Sequence, residues 1–381
     1  MNPTHQVFLA VETNTAFGRE TLRGIGAFQH EHGYWDCRIR PWQLGLLPKS
    51  PEGLNGAIVR AKDQNEVAHF QEAGIPMINV SASSPVPLKL PTVTVDQQAL
   101  GRLAAEHLLA KGFRSFGYAC LKGRWFRTER FKGFAGKIKA AGLDSPEPFY
   151  FAGSLRSHEK TLLEYLRNIP RPGAVFCGND LIGRDLIEVL RANHIRIPEE
   201  IAVLGVDNDQ LICELPHPQL SSISPSAFQT GYEAARWLEE WMNGIQPGPD
   251  MPLLRLIPPG EVMERHSSNV FAVEDIALQR ALTHIRDHLT GPIPIPDLAQ
   301  SAGICRKTLE VRFQKYLART PAEEIRNQRV QKARRLLIEG TLSMSDIAEA
   351  CGLASQAALS TLVKSRTGRT PMQIRNSSRV G

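Results

Sequence analysis

The 381-residue chain contains no run approaching 18 consecutive apolar residues, no two cysteines at CxxC spacing, and no opening stretch in which a basic segment precedes a long apolar run and a cleavage site. Each absence removes a class of protein. Without a long apolar run, no helix is expected to span a membrane. Without a leader, the start MNPTHQVFLAVETN is expected to remain in the compartment where it is made. The six cysteines, Cys37, Cys120, Cys177, Cys213, Cys305 and Cys351, are scattered. Most sit in apolar contexts such as AVFCG and GYACL, where a thiol serves as a small core residue. No metal site and no redox pair is expected, and a soluble protein of the reducing cytoplasm is. Catalytic signatures are missing as well: there is no GxSxG, HExxH or P-loop. The stretch GIGAFQ, residues 24–29, lacks the third glycine of a dinucleotide fingerprint and falls inside a predicted helix. Neither an enzyme nor a cofactor is expected.

What is present begins with a charge asymmetry. Hydrophobic residues make up 42% and charged residues 22%, as in ordinary globular domains. The formal net charge is +6, but residues 276–381 hold 17 Lys and Arg against 8 Asp and Glu, while residues 1–275 hold 28 against 31. A slightly acidic body with a basic tail is the footprint of a chain whose C-terminal part meets a polyanion, although a solvated Arg-rich surface has the same composition.

The first two thirds alternate short apolar runs with helical patterns. Strands are predicted at 7–11, 56–59, 77–80, 116–120, 174–177 and 202–206. Helices are predicted at 19–30, 64–73, 97–110, 129–141, 181–193 and 228–242. Continuous apolar strands separated by helices imply parallel sheets covered on both faces. About 260 residues is long for one sheet, so two βα lobes with a cleft between them are expected. The predicted fold class is therefore α/β: a two-lobed periplasmic-binding-protein-like domain over residues 1–265, a polar linker over 266–275, and an all-α domain over 276–381.

A motif occurs twice in the helical part. IPDLAQSAGICRKTLEVRF (295–313) and MSDIAEACGLASQAALSTLV (344–363) each pair Leu298-Ala299 or Ile347-Ala348 with a glycine four residues after the Ala, Gly303 or Gly352. A small residue lets two helices cross closely, glycine takes the turn, and the second helix is free to enter a major groove. The two turn glycines are 49 residues apart, with a predicted spacer helix over 321–339. Two helix-turn-helix units in the basic part of a chain are far more specific than one.

These stretches, with RVQKARRLLIEGTLSMSDIAEACGL and the closing TGRTPMQIR, resemble the AraC family of bacterial regulators over about residues 276–375. The body resembles the sugar-sensing domain of LacI-type repressors and the periplasmic sugar-binding proteins, through VDQQALGRLAAEHLLAKGF, RFKGF, AVFCGNDLIGRDLI, IPEEIAVLGVDND and LSSISPSAFQTGYEAARWL. The combination is similar to regulators of pentose operons. That resemblance implies an activator that binds a monosaccharide, D-xylose or a related pentose, and meets promoter DNA as a homodimer together with RNA polymerase. Two features depart from the pattern. Leu353, Leu359 and Val363 stand where the second unit usually has aromatics, which leads to the expectation of looser packing, and GNDLIGRD is nearer the LacI type.

Sugar recognition needs planar groups that hydrogen-bond adjacent hydroxyls, and an aromatic face against the ring. Asp207 follows one predicted strand, Asn179 and Asp180 follow another, and Arg130 opens RFKGF. The resemblance assigns Arg130, Asn179 and Asp207 to the effector. Helix capping by Asp207, Asn179 or Asp180, and a surface ion pair for Arg130, are the alternatives. Asn14, Phe17 and Trp125 are further candidates. For DNA, the first reading helix offers Arg306, Lys307 and Thr308, with Glu310 and Arg312 on neighbouring faces. The second offers Ser355, Gln356, Ala357, Ser360 and Thr361, with Lys364 and Arg366 as phosphate clamps. Two other functions fit part of this pattern: a transport binding protein, which the basic tail argues against, and a sensor that signals by protein contact.

Overall fold

The computed structural model describes residues 5–33, 35–39, 52–61, 64–81, 89–123, 125–245, 253–269, 275–317, 319–339 and 342–379. The chain opens with β1 (Gln6–Ala10), α1 (Ala16–His32), β2 (Asp36–Ile39), β3 (Gly56–Val59), α2 (Ala68–Glu72), β4 (Met77–Asn79) and β5 (Thr92–Val95). It continues with α3 (Gln97–Ala110), β6 (Ser115–Leu121), α4 (Trp125–Ala140), β7 (Pro148–Phe151), α5 (Glu159–Arg167), β8 (Gly173–Cys177), α6 (Asp180–Ala192), β9 (Ile201–Val206), α7 (Gln210–Glu214) and β10 (Ser221–Ile223). Then come α8 (Ala227–Met242), β11 (Leu254–Ile257) and β12 (Val262–Met263).

The strands form two sheets, ordered β11-β5-β4-β3-β1-β2 and β12-β10-β9-β8-β6-β7. All pairings are parallel except β10 with β12. The central strands β3, β8 and β9 are buried throughout, as strands covered by helices on both faces must be. The chain passes between the sheets after β5, after β10 and after β11, so three crossings join the lobes. They are hydrogen-bonded to one another: Asp96 N to Ile257 O at 2.9 Å, Ser224 N to Glu261 O at 3.1 Å, and Gly260 N to Ser224 O at 2.9 Å. Helix α3 starts at the first crossing, capped by Asp96, and lies tightly on α4. A Cβ on Gly101 would stand 2.0 Å from Arg130 O, and one on Gly133 2.1 Å from Gln98 O. That close crossing sets Arg130 beside the start of α3.

The C-terminal part is helical: α9 (Ile276–Asp287), α10 (Ile295–Ala302), α11 (Arg306–Leu317), α12 (Pro321–Glu339), α13 (Met344–Ala350), α14 (Gln356–Thr367) and α15 (Pro371–Arg379). It has two small cores. One is built on Leu282, Leu298, Leu309 and Phe313, the other on Ala333, Leu337, Ile347, Leu359 and Val363. The central helix α12 gives Ile325 to the first and Ala333 and Leu337 to the second, so it is part of both. Leu359 and Val363 are fully buried and Leu353 packs at the edge of their core. Among the described residues no helix is long and apolar enough to cross a membrane.

The polar segment that begins at Arg265 does not leave the body at once. Arg265, Ser267 and Ser268 are buried, and Ser267 Oγ donates to Val203 O at 2.6 Å. Hydrogen bonding, not apolar content, fastens these residues to the second lobe, which is why they read as linker. Residues 270–274 lie outside the described residues.

The two turn glycines have left-handed backbone, φ 71° at Gly303 and φ 65° at Gly352. At Gly352 a Cβ would also come within 2.5 Å of Leu289 O, because the second turn rests on the backbone after α9. Gly352→Ala is therefore expected to destabilise the protein by more than the about 1–2 kcal/mol of the backbone conformation alone. Gly26→Ala, in α1 with open space around it, is expected to be neutral or stabilising by about 0.5–1 kcal/mol. Urea unfolding of both variants checks this, and equal stabilities would contradict the packing of the second turn.

Candidate functional site

The cleft is organised by a strained turn. At the C-terminal end of β9, Asp207 and Asn208 have φ of 113° and 48°, a conformation non-glycine residues rarely hold without help. The help comes from Asp180, 2% exposed at the first turn of α6. Its carboxylate accepts from Asp209 N at 2.8 Å, Ser222 Oγ at 2.5 Å and Cys213 Sγ at 3.3 Å. Ser222 Oγ accepts from Asn208 N at 3.0 Å, and Arg265 Nη2 donates to Asn208 Oδ1 at 2.9 Å. Burial pushes the Asp180 carboxyl up to about 8, and the neighbouring Asp207 charge adds to this against its hydrogen-bond donors. Burial also pushes Asp207 up to about 6, against the pull of Arg130 and Arg60.

Asp207 faces a cavity of about 230 Å³ between the lobes. Glu12, Thr15, Phe17 and Arg60 come from the first lobe; Phe126, Arg127, Arg130, Asn179 and Asp207 come from the second. Arg130 is 3% exposed. Its Nε and Nη2 donate to Gln97 Oε1 at 3.1 and 2.8 Å, and its Nη1 donates to Gly178 O. Arg60 pairs with Glu12 and lies over the Phe17 ring, 4.9 Å from its centroid. Arg130 lies 5.5 Å from the Phe126 centroid. At the mouth, Arg19 of the first lobe and Asp209 of the second form an ion pair at 3.0 Å.

Of the residues expected from sequence, Arg130, Asn179, Asp207 and Phe17 come together here. Asn179 also caps α6, accepting from Ile182 N at 3.0 Å, so both readings of it hold at once. Asp180 is neither cap nor cavity residue; it braces the turn. Asn14 is exposed and does not line the cavity. Two residues nearer the strand, Glu12 takes the place expected of it, because β1 ends at Ala10 and the chain then turns outward. Trp125 begins α4, and its side chain lies outside the described residues. Glu12, Thr15, Arg60, Gln97, Phe126 and Arg127 were not singled out. For Glu12 and Arg60 the available signal was their place directly after apolar strands, the rule that found Asp207.

On the helical domain, Arg306 and Lys307 are exposed on the first turn of α11, with Arg306 Nε 2.8 Å from Glu310 Oε1. Thr308 is half-buried against Cys305, with Sγ and Oγ1 3.1 Å apart. Gln356, Ala357, Thr361, Lys364 and Arg366 are exposed along α14, Ser355 caps it, and Ser360 is half-buried. Arg312 departs from the expected set. It turns away from the exposed face to pair with Asp275, the cap of α9, at 2.6 Å, because its position on α11 faces α9.

Two lobes around a cleft lined by charged and polar side chains, followed by two helix-turn-helix units, define a DNA-binding regulator with a sugar-sensing domain. Residues 105–268 match the periplasmic binding protein-like domain family and residues 298–377 a helix-turn-helix domain family. The chain is related along nearly its whole length to the xylose operon regulatory proteins. It is 28% identical to that of Escherichia coli K12 over 98% of this chain and 97% of the relative, and 25% identical to that of Haemophilus influenzae Rd over 97% and 98%. A solved xylose-binding transcription activator superposes with a TM-score of 0.63 at 26% identity, covering 99% of both chains.

The Asp180 carboxyl makes stability depend on pH in a definite direction. Its pKa in the folded chain is raised from 3.8 to about 8. Its contribution is therefore fully present below the unfolded value and is lost as pH rises through the folded one. Between about pH 5 and about pH 8 the wild type is expected to lose unfolding free energy relative to Asp180→Asn, measured by urea titration. Parallel curves would contradict the raised pKa of the buried Asp180 carboxyl.

Proposed function

We propose that the chain is a cytoplasmic activator of sugar-catabolism genes whose effector is a monosaccharide, D-xylose or a related pentose, held between the lobes. It acts as a homodimer on promoter DNA and contacts RNA polymerase. The observation that carries this reading is the small polar cavity: at about 230 Å³ it is below the roughly 300–1,000 Å³ of sites for drug-sized ligands. Arg130, Asn179 and Asp207 on one lobe, with Phe17 on the other, supply the paired hydrogen-bonding groups and ring face that a single sugar needs. The relatives named for xylose support the same ligand class.

The domain division supports a switch. Residues 276–381 carry both reading helices and their own cores, and 265–268 fasten the root of this domain beside the Asp207 turn. A sugar bridging the lobes favours the closed form, and it shifts DNA binding only through its different affinity for the two forms.

A thermal-shift screen of aldopentoses and aldohexoses tests the sensing half: a pentose is expected to raise the melting temperature with concentration, by mass action, and a flat response to all of them contradicts it. A fragment from Ala277 onward tests the reading half. It is expected to fold and to bind promoter DNA with an affinity that falls steeply with salt. In it, Arg306→Ala is expected to cost about 1–3 kcal/mol at particular base positions. A uniform loss over all sequences would make Arg306 a phosphate contact instead.

A further inference from the structure

We infer that the seam between the second lobe and the helical domain is a second ligand site, separate from the cleft and from the DNA-reading faces, and that it takes a small anion carrying a phosphate group. The inference goes beyond the proposed function and does not depend on which sugar the cleft holds.

The seam holds a cavity of about 510 Å³, a size typical of small-molecule sites. One wall is the C-terminal end of α3 with Glu264, His266 and Asn269; the other is α12 with the ends of α9 and α14. Among the described residues six cations line it: Lys111 from the lobe, and Arg286, Arg319, Lys332, Arg334 and Arg366 from the helical domain. Two carboxylates line it, Glu264 and Glu324, and each already faces a cation, Lys111 at 2.7 Å and Arg319 at 3.1 Å. Burial pushes the His107 imidazole down to about 4, so it brings no charge near neutral pH.

Like charges gathered in a partly buried space repel one another, so their convergence needs a reason. Helix dipoles supply part of it: Arg286 and Arg366 lie in the last turns of α9 and α14, where a cation is favoured. Lys332 and Arg334 lie before the last turn of α12 and have no such reason. Burial, and the charge of Arg369, both push the Arg334 guanidinium below its usual value. Arg334 does pair with Glu261, but that carboxylate is 60% exposed and outside the lining. The Arg366 guanidinium has no hydrogen bond or ion pair among the described residues. The DNA backbone does not explain this set. Arg366 stands ten residues beyond Gln356 on α14, about 15 Å along the helix from its reading end. A cavity of this size, with a lobe for one wall, admits a metabolite and not a duplex. A phosphate group fits its chemistry. It carries up to two negative charges and three acceptor oxygens, and a guanidinium binds it through two N–H groups at once. One such group meets cations of both walls.

The test is calorimetric titration of the full chain, at fixed ionic strength, with inorganic phosphate, pyrophosphate and ribose 5-phosphate, and with neutral ribose for comparison. At least one of the three anions is expected to bind one-to-one, and neutral ribose is expected not to displace it. Arg334→Gln and Arg366→Gln are each expected to weaken that anion by about ten- to hundredfold, as loss of a hydrogen bond between charged groups does. Arg306→Ala on the first reading helix and Arg60→Gln in the cleft are expected to leave it unchanged. Binding of none of the three anions overturns the inference, as does equal affinity in wild type and both seam variants. Loss with Arg306→Ala instead makes the anion a mimic of DNA phosphate on the reading face. Loss with Arg60→Gln, or displacement by ribose, places it in the cleft. Either result overturns the seam site while leaving the sugar-responsive regulator in place. Should Arg334→Gln fail to fold, Arg366→Gln, at an exposed position, still decides.

Discussion

The buried carboxylate of Asp180 is the point on which the cleft is built. It sits at the first turn of α6, under the end of β9, and holds the backbone of Asp209 and the hydroxyl of Ser222. Those bonds, with Asp207 N to Ile223 O and Arg265 Nη2 to Asn208 Oδ1, offset the left-handed backbone at Asp207 and Asn208, a cost of about 1–3 kcal/mol for each such residue. With them, three consecutive residues are sent to three places: Asp207 to the cavity, Asn208 to Arg265, and Asp209 to Arg19 across the mouth. Gly205 belongs to the same device, since a Cβ there would meet Asp180 Oδ1 at 2.2 Å.

Much of this was legible in the sequence, for identifiable reasons. Apolar runs buried on both faces, such as GAIV and IAVLGV, announce central parallel strands, the rule that ligands lie beyond strand ends pointed to Asp207 and Asn179, and the RFKGF resemblance pointed to Arg130. The glycines of the repeated motif predicted both turns. The strands that escaped notice are β2, β5, β7, β10, β11 and β12, which are short, and several of which are polar or exposed: DCRI and LRLI are largely exposed, and SSI is buried through hydrogen bonds. Glu12 escaped because a carboxylate directly after an apolar run reads as the start of a loop. The Arg312–Asp275 pair was not legible because helical spacing does not say which neighbour a face meets, and the two residues lie 37 positions apart.

Two contacts lie on the path from the lobes to the helical domain. Arg265 stands at the root of the tether, buried, with bonds to Leu220 O and Asn208 Oδ1. Arg334 of α12 pairs with Glu261, which lies on the third crossing between the lobes. The first fastens the C-terminal end of the second lobe to the turn that carries Asp207. The second ties the helix shared by both small cores to a segment that crosses between the lobes. Under the proposed function, a sugar that draws the lobes together acts on both contacts, and no separate messenger is required.

The central claim is that sugar and DNA binding share one equilibrium. Thermodynamic linkage makes it measurable: whatever factor the sugar applies to DNA affinity, DNA must apply to sugar affinity. The decisive measurement is the dissociation constant of the best pentose for the full chain, with and without saturating promoter DNA, in wild type and Asp207→Ala. The account predicts that DNA changes the wild-type constant by about 5- to 150-fold, the usual range of coupling between sites, and that folded Asp207→Ala loses the sugar response while its DNA binding persists. Equal sugar affinity with and without DNA, or wild-type sugar affinity in Asp207→Ala, would contradict it.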